Sequence, residues 1–581
     1  MDSDNWRRAP TFLDELDDAE RAGSGYDDVP DVVRQFLRYF RTKFRELGKT
    51  EAAQRIIAKD IHSLYEDTFS KITERFYKGG MWPDADTVAP LVDHDALFLV
   101  FYRELCYRQI YASSIQPTLD QRVGAWENYC DLFNAFLNDE LFDVCLPASW
   151  LWDAVDEFVY QFEAWCNYRS KLKNKDEDDI AFLRDNGHIW NVNTVLQYLH
   201  VLVNKSSICP WLLNGSQPTG SNDIDSEDFD PSWIPAYRYV GYFSVIGLLR
   251  IHCLLGDYRL ALMVLQPMDF DEDKPLYTEV TAAHVALFYY MGFAYIMLRR
   301  YEDAVRVLSM TLQHIGRIKQ YHTRSYQYEQ INKRNDQMLA LLAICVAFCP
   351  QHEGDSVESL LNEKYSDRLF KLRQGDEQVF EELFSYSAPK FISPSPPDYA
   401  VPTDTNYDAS RFQLALFKNE VRQQIVLPEI RSYLRLYMTV SGKKLASFMD
   451  IEESTFRSHL FALKHKSWSF RGQPSLPPLE GTFGSTEDVG FYVDLDMLQI
   501  QDTKVDVRYG EYFINGISKL DEIARAIKNK AYVPIRGVSD GSGRTGPGRG
   551  GGGGPGRGRG NATRGRGRGH FRPHPVPGRS Y

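Results

Sequence analysis

The chain lacks most of what an enzyme, a zinc protein or a secreted protein needs. Eight cysteines are diluted over 581 residues without a CxxC pair. That argues against a zinc site and a disulfide framework, and leaves the cysteines as small apolar residues for the interior. Neither HExxH nor GxxxxGK[ST] occurs, and Gly541-Ser542-Gly543-Arg544-Thr545-Gly546 imitates a phosphate loop without its lysine or a strand-loop-helix frame. With no nucleophile, base and orienting group in one constellation, the chain reads as a non-enzyme with no cofactor, metal or small-molecule substrate. Met1-Asp2-Ser3-Asp4-Asn5-Trp6 has no basic stretch leading into an apolar one, so no secretory signal is read and a cytoplasmic location is expected. Long apolar runs are scarce as well. Val280 to Leu298 is free of Asp, Glu, Lys and Arg, but its unbroken apolar core, Val285 to Leu298, is fourteen residues, the length of a buried helix and too short for a membrane span.

What is present is charge, unevenly placed. The chain carries 67 Lys+Arg against 79 Asp+Glu, a net −12. From Gly541 to Tyr581 stand nine arginines, Arg544, Arg549, Arg557, Arg559, Arg564, Arg566, Arg568, Arg572 and Arg579, with no lysine and no acid, which leaves −21 on residues 1–540. An acidic body should not hold nucleic acid through bulk charge. A glycine-rich polycation can, because guanidinium pairs with phosphate and stacks on unpaired bases while glycine leaves the backbone free. The nine arginines of a disordered tail, 541–581, are therefore the candidate RNA contacts; a solubilising or methylated tail is the alternative.

Residues 1–30 hold Asp14, Glu15, Asp17, Asp18, Glu20, Asp27 and Asp28 around Gly23 and Gly25, too like-charged to fold alone. From residue 31 apolar residues recur in steps of three and four: Val33, Leu37, Phe40, Phe44 and Leu47, then Ile57, Ile61, Leu64, Thr68, Ile72 and Phe76. That period predicts amphipathic helices packed on one another, and strand-type alternation is almost absent before residue 488. Acids alternate from Asn222 to Asp230, but without the turn glycine and closing glutamate of a calcium loop, so a solvated loop is read there.

Two segments resemble each other at an offset of 43: Gly256-Asp257-Tyr258-Arg259-Leu260-Ala261 and Arg299-Arg300-Tyr301-Glu302-Asp303-Ala304. The latter copy resembles a tetratricopeptide (TPR) hairpin, with Gly292 and Tyr295 on its first helix and Ala304 and Leu308 on its second, although Thr311 stands where that repeat usually has alanine. An ordinary helix pair is the alternative, and either gives stacked helix pairs over 31–386. Prolines 389, 394, 396, 397 and 402 exclude a helix from 387–403, which reads as a linker. Beyond it, Pro428 opens a helix through Leu434 and Tyr437, and Leu445 to Met449 forms a second. Asp450 and Glu453 have capping-box spacing before a third that carries Phe456, Leu460 and Leu463 on one face. Val489, Phe491, Val493 and Leu495 then alternate with Gly490, Tyr492, Asp494 and Asp496, predicting a hairpin that turns near Asp494-Leu495-Asp496. Three helices and two strands make a winged helix within 404–508.

Its third helix offers Arg457, Lys464, His465 and Lys466 to phosphates and base edges. Between Asp488 and Asp506, however, stand five Asp and one Lys, a wing that a phosphate backbone would repel, so protein docking is expected rather than DNA reading. In 509–535, Phe513, Ile517, Leu520, Ala524 and Ile527 are spaced 4, 3, 4 and 3 apart, an a/d seam. Ile514 and Ile523 widen the stripe beyond one partner's need. Such a helix either packs on its own domain or joins a bundle between subunits.

A helical-repeat body running into a winged helix resembles the PCI-domain family, whose module is shared by the proteasome lid, the COP9 signalosome and eukaryotic translation initiation factor three. Ile72-Thr73-Glu74-Arg75-Phe76, Trp150-Leu151-Trp152-Asp153, Gly241-Tyr242-Phe243-Ser244-Val245-Ile246-Gly247-Leu248-Leu249-Arg250, Glu381-Glu382-Leu383-Phe384-Ser385-Tyr386-Ser387 and Asp502-Thr503-Lys504 are similar, in order and over about residues 30 to 530, to the subunit L family of initiation factor three. The resemblance implies a mainly α fold, a right-handed helical-repeat (TPR-like) solenoid followed by a PCI winged helix. It also implies a non-catalytic scaffold subunit whose partners are other PCI and MPN subunits. The assembled factor would bind the small (40S) ribosomal subunit and support initiator tRNA and mRNA recruitment. The Gly/Arg-rich tail departs from the family pattern. A subunit of another PCI complex, the proteasome lid or the signalosome, and an RNA-binding regulator acting through the tail stand as alternatives.

Overall fold

The computed structural model describes residues 29–529, apart from 49–50, 79, 114, 143, 216, 218–219, 221–228, 271–274, 319–327, 350–354, 401–404, 473–475 and 486–488. The acidic amino terminus, most of the run from Asn222 to Asp230 and all nine tail arginines lie outside the described residues. Two units make up the chain, Met1–Val507 and Arg508–Tyr581.

In the first unit the helix Pro235–Leu255 is central. Proline at its first turn loses no needed hydrogen bond, and Gly256 closes it at φ 86° while the Asp257 amide donates to the His252 carbonyl. Every residue from Val240 to Leu254 is buried, as befits a helix without a polar face inside a helical stack. Ala148–Ser170, Val192–Lys205 and Thr281–Met297 surround it. From Thr281–Met297 onward, Tyr301–Ile318, Tyr328–Phe348, Asp355–Gln374 and Glu377–Ser387 each lie against their predecessor. At the repeat's predicted close approach, a Cβ on Gly292 would come within 2.8 Å of Leu308 Cδ2, and Ala304 is fully buried. One core runs from Val29 to Val421. The first helix, Asp31–Phe44, buries Val33, Leu37, Phe40 and Phe44 but stops there. Leu47, predicted on that stripe, falls past its end and is exposed. Cys166, Cys253 and Cys345 are buried; the other five cysteines, predicted interior, are only partly so.

The proline-rich stretch after Ser387 has no helix among its described residues, yet it packs. Phe391 and Ile392 are buried, the Ile392 amide donates to the Leu254 carbonyl at 3.1 Å, and Tyr399 Oη donates to the Leu183 carbonyl. The helix Thr405–Ile425 adds Phe417 and Val421 to the same core.

After Val426 a second core begins, holding Leu427, Ile430, Leu434, Val440, Leu445, Phe456, Leu460, Leu463, Phe491 and Leu498. The winged helix comprises Leu427–Leu434, Gly442–Phe448 and Glu453–Lys466 with strands β1 Thr439–Ser441, β2 Trp468–Arg471, β3 Thr482–Ser485, β4 Val489–Asp494 and β5 Met497–Asp502. The predicted wing is β4–β5, turning at Leu495, whose φ is 54°. β1 joins it in the order β1-β5-β4, pairing Val440 with Leu498, and β2–β3 forms a separate hairpin; the sequence reading missed all three of these strands. The first of these helices ends at Leu434, short of the predicted Tyr437. The capping box does not form either. Glu453–Lys466 is preceded by Glu452 with no side-chain cap, because Asp450, at φ 54°, closes the previous helix, where the Ile451 amide donates to Ala446.

Candidate docking surfaces

The helix Thr503–Asn529 carries the predicted seam. Phe513, Ile517, Leu520 and Ile527 are 63, 65, 67 and 68% exposed, Ala524 is exposed too, and so is every residue from Tyr512 to Lys528. At 100° per residue the seam together with Tyr512, Ile514 and Ile523 spans roughly 200° of the helix surface, about twice the stripe that a surface helix turns to one core, interrupted on one flank by Asp521 and Lys528. Asn515, Ser518, Lys519, Glu522 and Arg525 fill the remaining arc. A stripe of that width exceeds the face that one packing neighbour ordinarily covers.

The cations of the third winged helix are mostly committed internally. Arg457 pairs with Glu453 at 2.7 Å and with Asp496 of the wing at 3.1 Å. Lys464 donates to the Phe491 carbonyl at 2.5 Å. Lys466, its side chain only 5% exposed, meets Glu420 at 2.6 Å; burial pulls its pKa below the usual lysine range against the pull of Glu420. A recognition helix must hold its charges out to the groove; Lys466 does not, and Arg457 and Lys464, though exposed, are already engaged by groups of the same domain.

Sequence reasoning missed a further apolar surface. β2 and β3 pair Trp468 with Ser485 and Phe470 with Phe483, so Trp468, Phe470 and Phe483 share one face, with ring centroids 5.5 and 5.2 Å apart, and all three are exposed. The alternation Trp468-Ser469-Phe470-Arg471 was the available signal. Leu436, Met438, Phe461 and Leu495 are exposed elsewhere on the winged helix.

Between β2 and β3, Gly472 and the run from Pro478 to Glu480 meet the TPR-like pair. Arg300 donates to the carbonyls of Pro478 at 2.8 Å, Leu479 at 3.0 Å and Glu480 at 3.1 Å, and Tyr295 Oη donates to Pro478 at 2.9 Å. Asp303 binds Arg300 and Arg306, each at 2.7 Å, and accepts the Gly472 amide at 3.0 Å. Arg306 in turn donates to the Gly472 carbonyl at 2.8 Å. A Cβ at Gly472 would meet Arg300 Nη2 at 2.9 Å, so glycine permits the approach.

Among the described residues no group of three or more His, Cys, Asp or Glu is placed to hold a metal, and no helix is long and apolar enough to cross a membrane.

Comparison with known proteins matches residues 121–520 to the family model described as RNA polymerase I-associated factor PAF67. The chain is 45% identical to eukaryotic translation initiation factor 3 subunit L of Nematostella vectensis over 507 residues, covering 87% of this chain and 94% of that one. It is 43% identical to the Homo sapiens subunit L over 525 residues, 88% and 92% of the two chains, and 43% identical to that of Danio rerio over 519 residues, 87% and 89%. With a family model matched over residues 121–520 and relatives of that identity covering 87–88% of it, the chain belongs to the subunit L family of eukaryotic translation initiation factor 3.

Proposed function

We propose that the chain is a cytoplasmic, non-catalytic scaffold subunit of initiation factor 3, held by other PCI and MPN subunits. The assembled factor binds the small (40S) ribosomal subunit and supports initiator tRNA and mRNA recruitment. The observation that carries this reading is the bare apolar stripe of Thr503–Asn529. Burying seven large apolar side chains at about 1.5–3 kcal/mol each is ample to offset the cost of association, and two flanks accept two helices of a bundle. Ile517→Asp with Leu520→Asp places two charges in the seam and should abolish capture of partner subunits while the chain keeps its helical content. Undiminished capture by the double variant rejects the reading. Co-purification with proteasome or cullin-pathway components in place of ribosomal subunits would favour another PCI complex.

The arginine tail favours a second activity beside the first, contact with single-stranded RNA. If all nine arginines engage, log affinity falls against log salt with a slope of roughly −6. Deleting residues 541–581 should flatten that slope, and an unchanged slope removes the tail from RNA binding.

A further inference from the structure

The winged helix has its own core and is joined to the repeat body through one covalent crossing, where Val426 alone separates Thr405–Ile425 from Leu427–Leu434. A single junction between two cores is a hinge by default, since the chain can change φ and ψ there without disturbing either side. Lys466 meets Glu420 on the helix that leads into the junction, close in sequence to the hinge it would have to brace. The loop between β2 and β3 is attached elsewhere, to Tyr301–Ile318 and the end of Thr281–Met297. Leu479 packs against the repeat core rather than the winged-helix core, and four backbone carbonyls, Gly472, Pro478, Leu479 and Glu480, accept from Arg306, Arg300 and Tyr295. Asp303, 2% exposed, holds both guanidinium groups in place. Arg471, the last residue of β2, adds an ion pair to Glu302. Two separated anchors on different helices remove the rotation that one leaves free.

We propose that Gly472 and Pro478 to Glu480 form an internal tether that sets the angle of the winged helix on the repeat body, and that Arg300, Asp303 and Arg306 are positioning residues for subunit assembly, acting through that clasp. The second half rests on the scaffold reading above. A rigid angle matters there because a subunit gripped at more than one surface must present those surfaces together, and any freedom between them is entropy lost on assembly.

The test uses the full chain with a donor and an acceptor dye attached through unnatural amino acids at Thr455 of the winged helix and Met310 of the repeat, both exposed, so the native cysteines stay untouched. Gly472→Val wedges the clasp from the loop side and leaves every repeat side chain in place; Asp303→Ala breaks it from the other side. Both should spread a single narrow distance distribution into a broad one, and both should lower the affinity for partner subunits on the order of fivefold or more. A distribution that stays narrow in both variants overturns the tether. Spreading without loss of affinity overturns the positioning role. Ile517→Asp with Leu520→Asp serves as the control, since it should cost capture with the distance unchanged. If that control also captures normally, the scaffold reading has failed, and the tether is judged on the distance alone.

Discussion

Arg108 is the sharpest place to perturb the repeat body. Its side chain, 9% exposed, lies between Glu104, which is fully buried, and Asp153 at 3.6 Å. It donates to Glu104 and to Tyr65 Oη, Tyr65 donates to Asp153 at 2.5 Å, and Trp150 Nε1 donates to Glu104 at 3.0 Å. Burial opposes the guanidinium charge, yet Glu104, Tyr65 and Asp153 outweigh it and hold the pKa well above the ordinary arginine value. Arg108→Met retains most of the aliphatic volume and strands two carboxylates, which should cost ~3–5 kcal/mol. Glu104→Gln alone leaves the Trp150 acceptor in place and should cost ~1–2 kcal/mol, a charged hydrogen bond exchanged for a neutral one. Combined, the two changes remove the charge and its partner together, so the double variant should be ~2 kcal/mol more stable than the sum of the singles. The assay is urea denaturation of all four proteins, with hydrogen exchange followed in Ala96–Ala112 and Ala148–Ser170 to confirm that the loss is local. Additivity within ~0.5 kcal/mol would refute the claim that the pair is coupled.

Other changes follow the same logic. Burial pushes the Glu157 carboxyl up to about 7, with Arg108 opposing and Asp156, Glu104 and Asp153 adding to the rise; its Oε2 is sealed from solvent without a hydrogen-bond partner. The folded chain therefore keeps a proton that the unfolded chain has lost, so this group's stabilisation is full below about pH 4.5 and is lost as pH rises through about 7. The difference is ~1–3 kcal/mol, kept low because the residue is only partly buried. Glu157→Gln should flatten thermal stability over that window, and an unchanged slope would clear Glu157 of the effect. Gly292→Val drives a side chain into Leu308 and should cost at least ~1–3 kcal/mol. Gly316→Ala, on the next helix with nothing within 4 Å of its Cβ, should gain ~0.5–1 kcal/mol. Thermal midpoints moving in the same direction for both glycines would contradict the close packing read at Gly292.

The features that were legible in the sequence are those with a period. Val33 to Phe44, Gly292 with Leu308 and the Phe513–Ile527 seam each write their geometry into spacing, because a helix converts a fixed step into a face. β4–β5 was legible for the same reason with period two. β1 was not: three residues, Thr439 to Ser441, are too few to show alternation, and only their pairing with Met497 to Gln499 makes them a strand. Asp450 misled because its acid side chain fits a cap while its own backbone takes the left-handed turn that closes the preceding helix, and the backbone demand won. The clasp lay furthest from reach. Arg300 and Pro478 are 178 residues apart, and what joins them is a guanidinium aimed at backbone carbonyls, groups every residue carries. No composition or spacing marks such an acceptor. The same holds for Lys466, one of four cations open to a phosphate backbone on sequence grounds until Glu420, 46 residues upstream, took its charge. Periodicity therefore predicts which surfaces a chain can bury, while the long-range polar contacts that decide which charges stay free, and at what angle two cores stand, emerge only when the fold brings distant residues together.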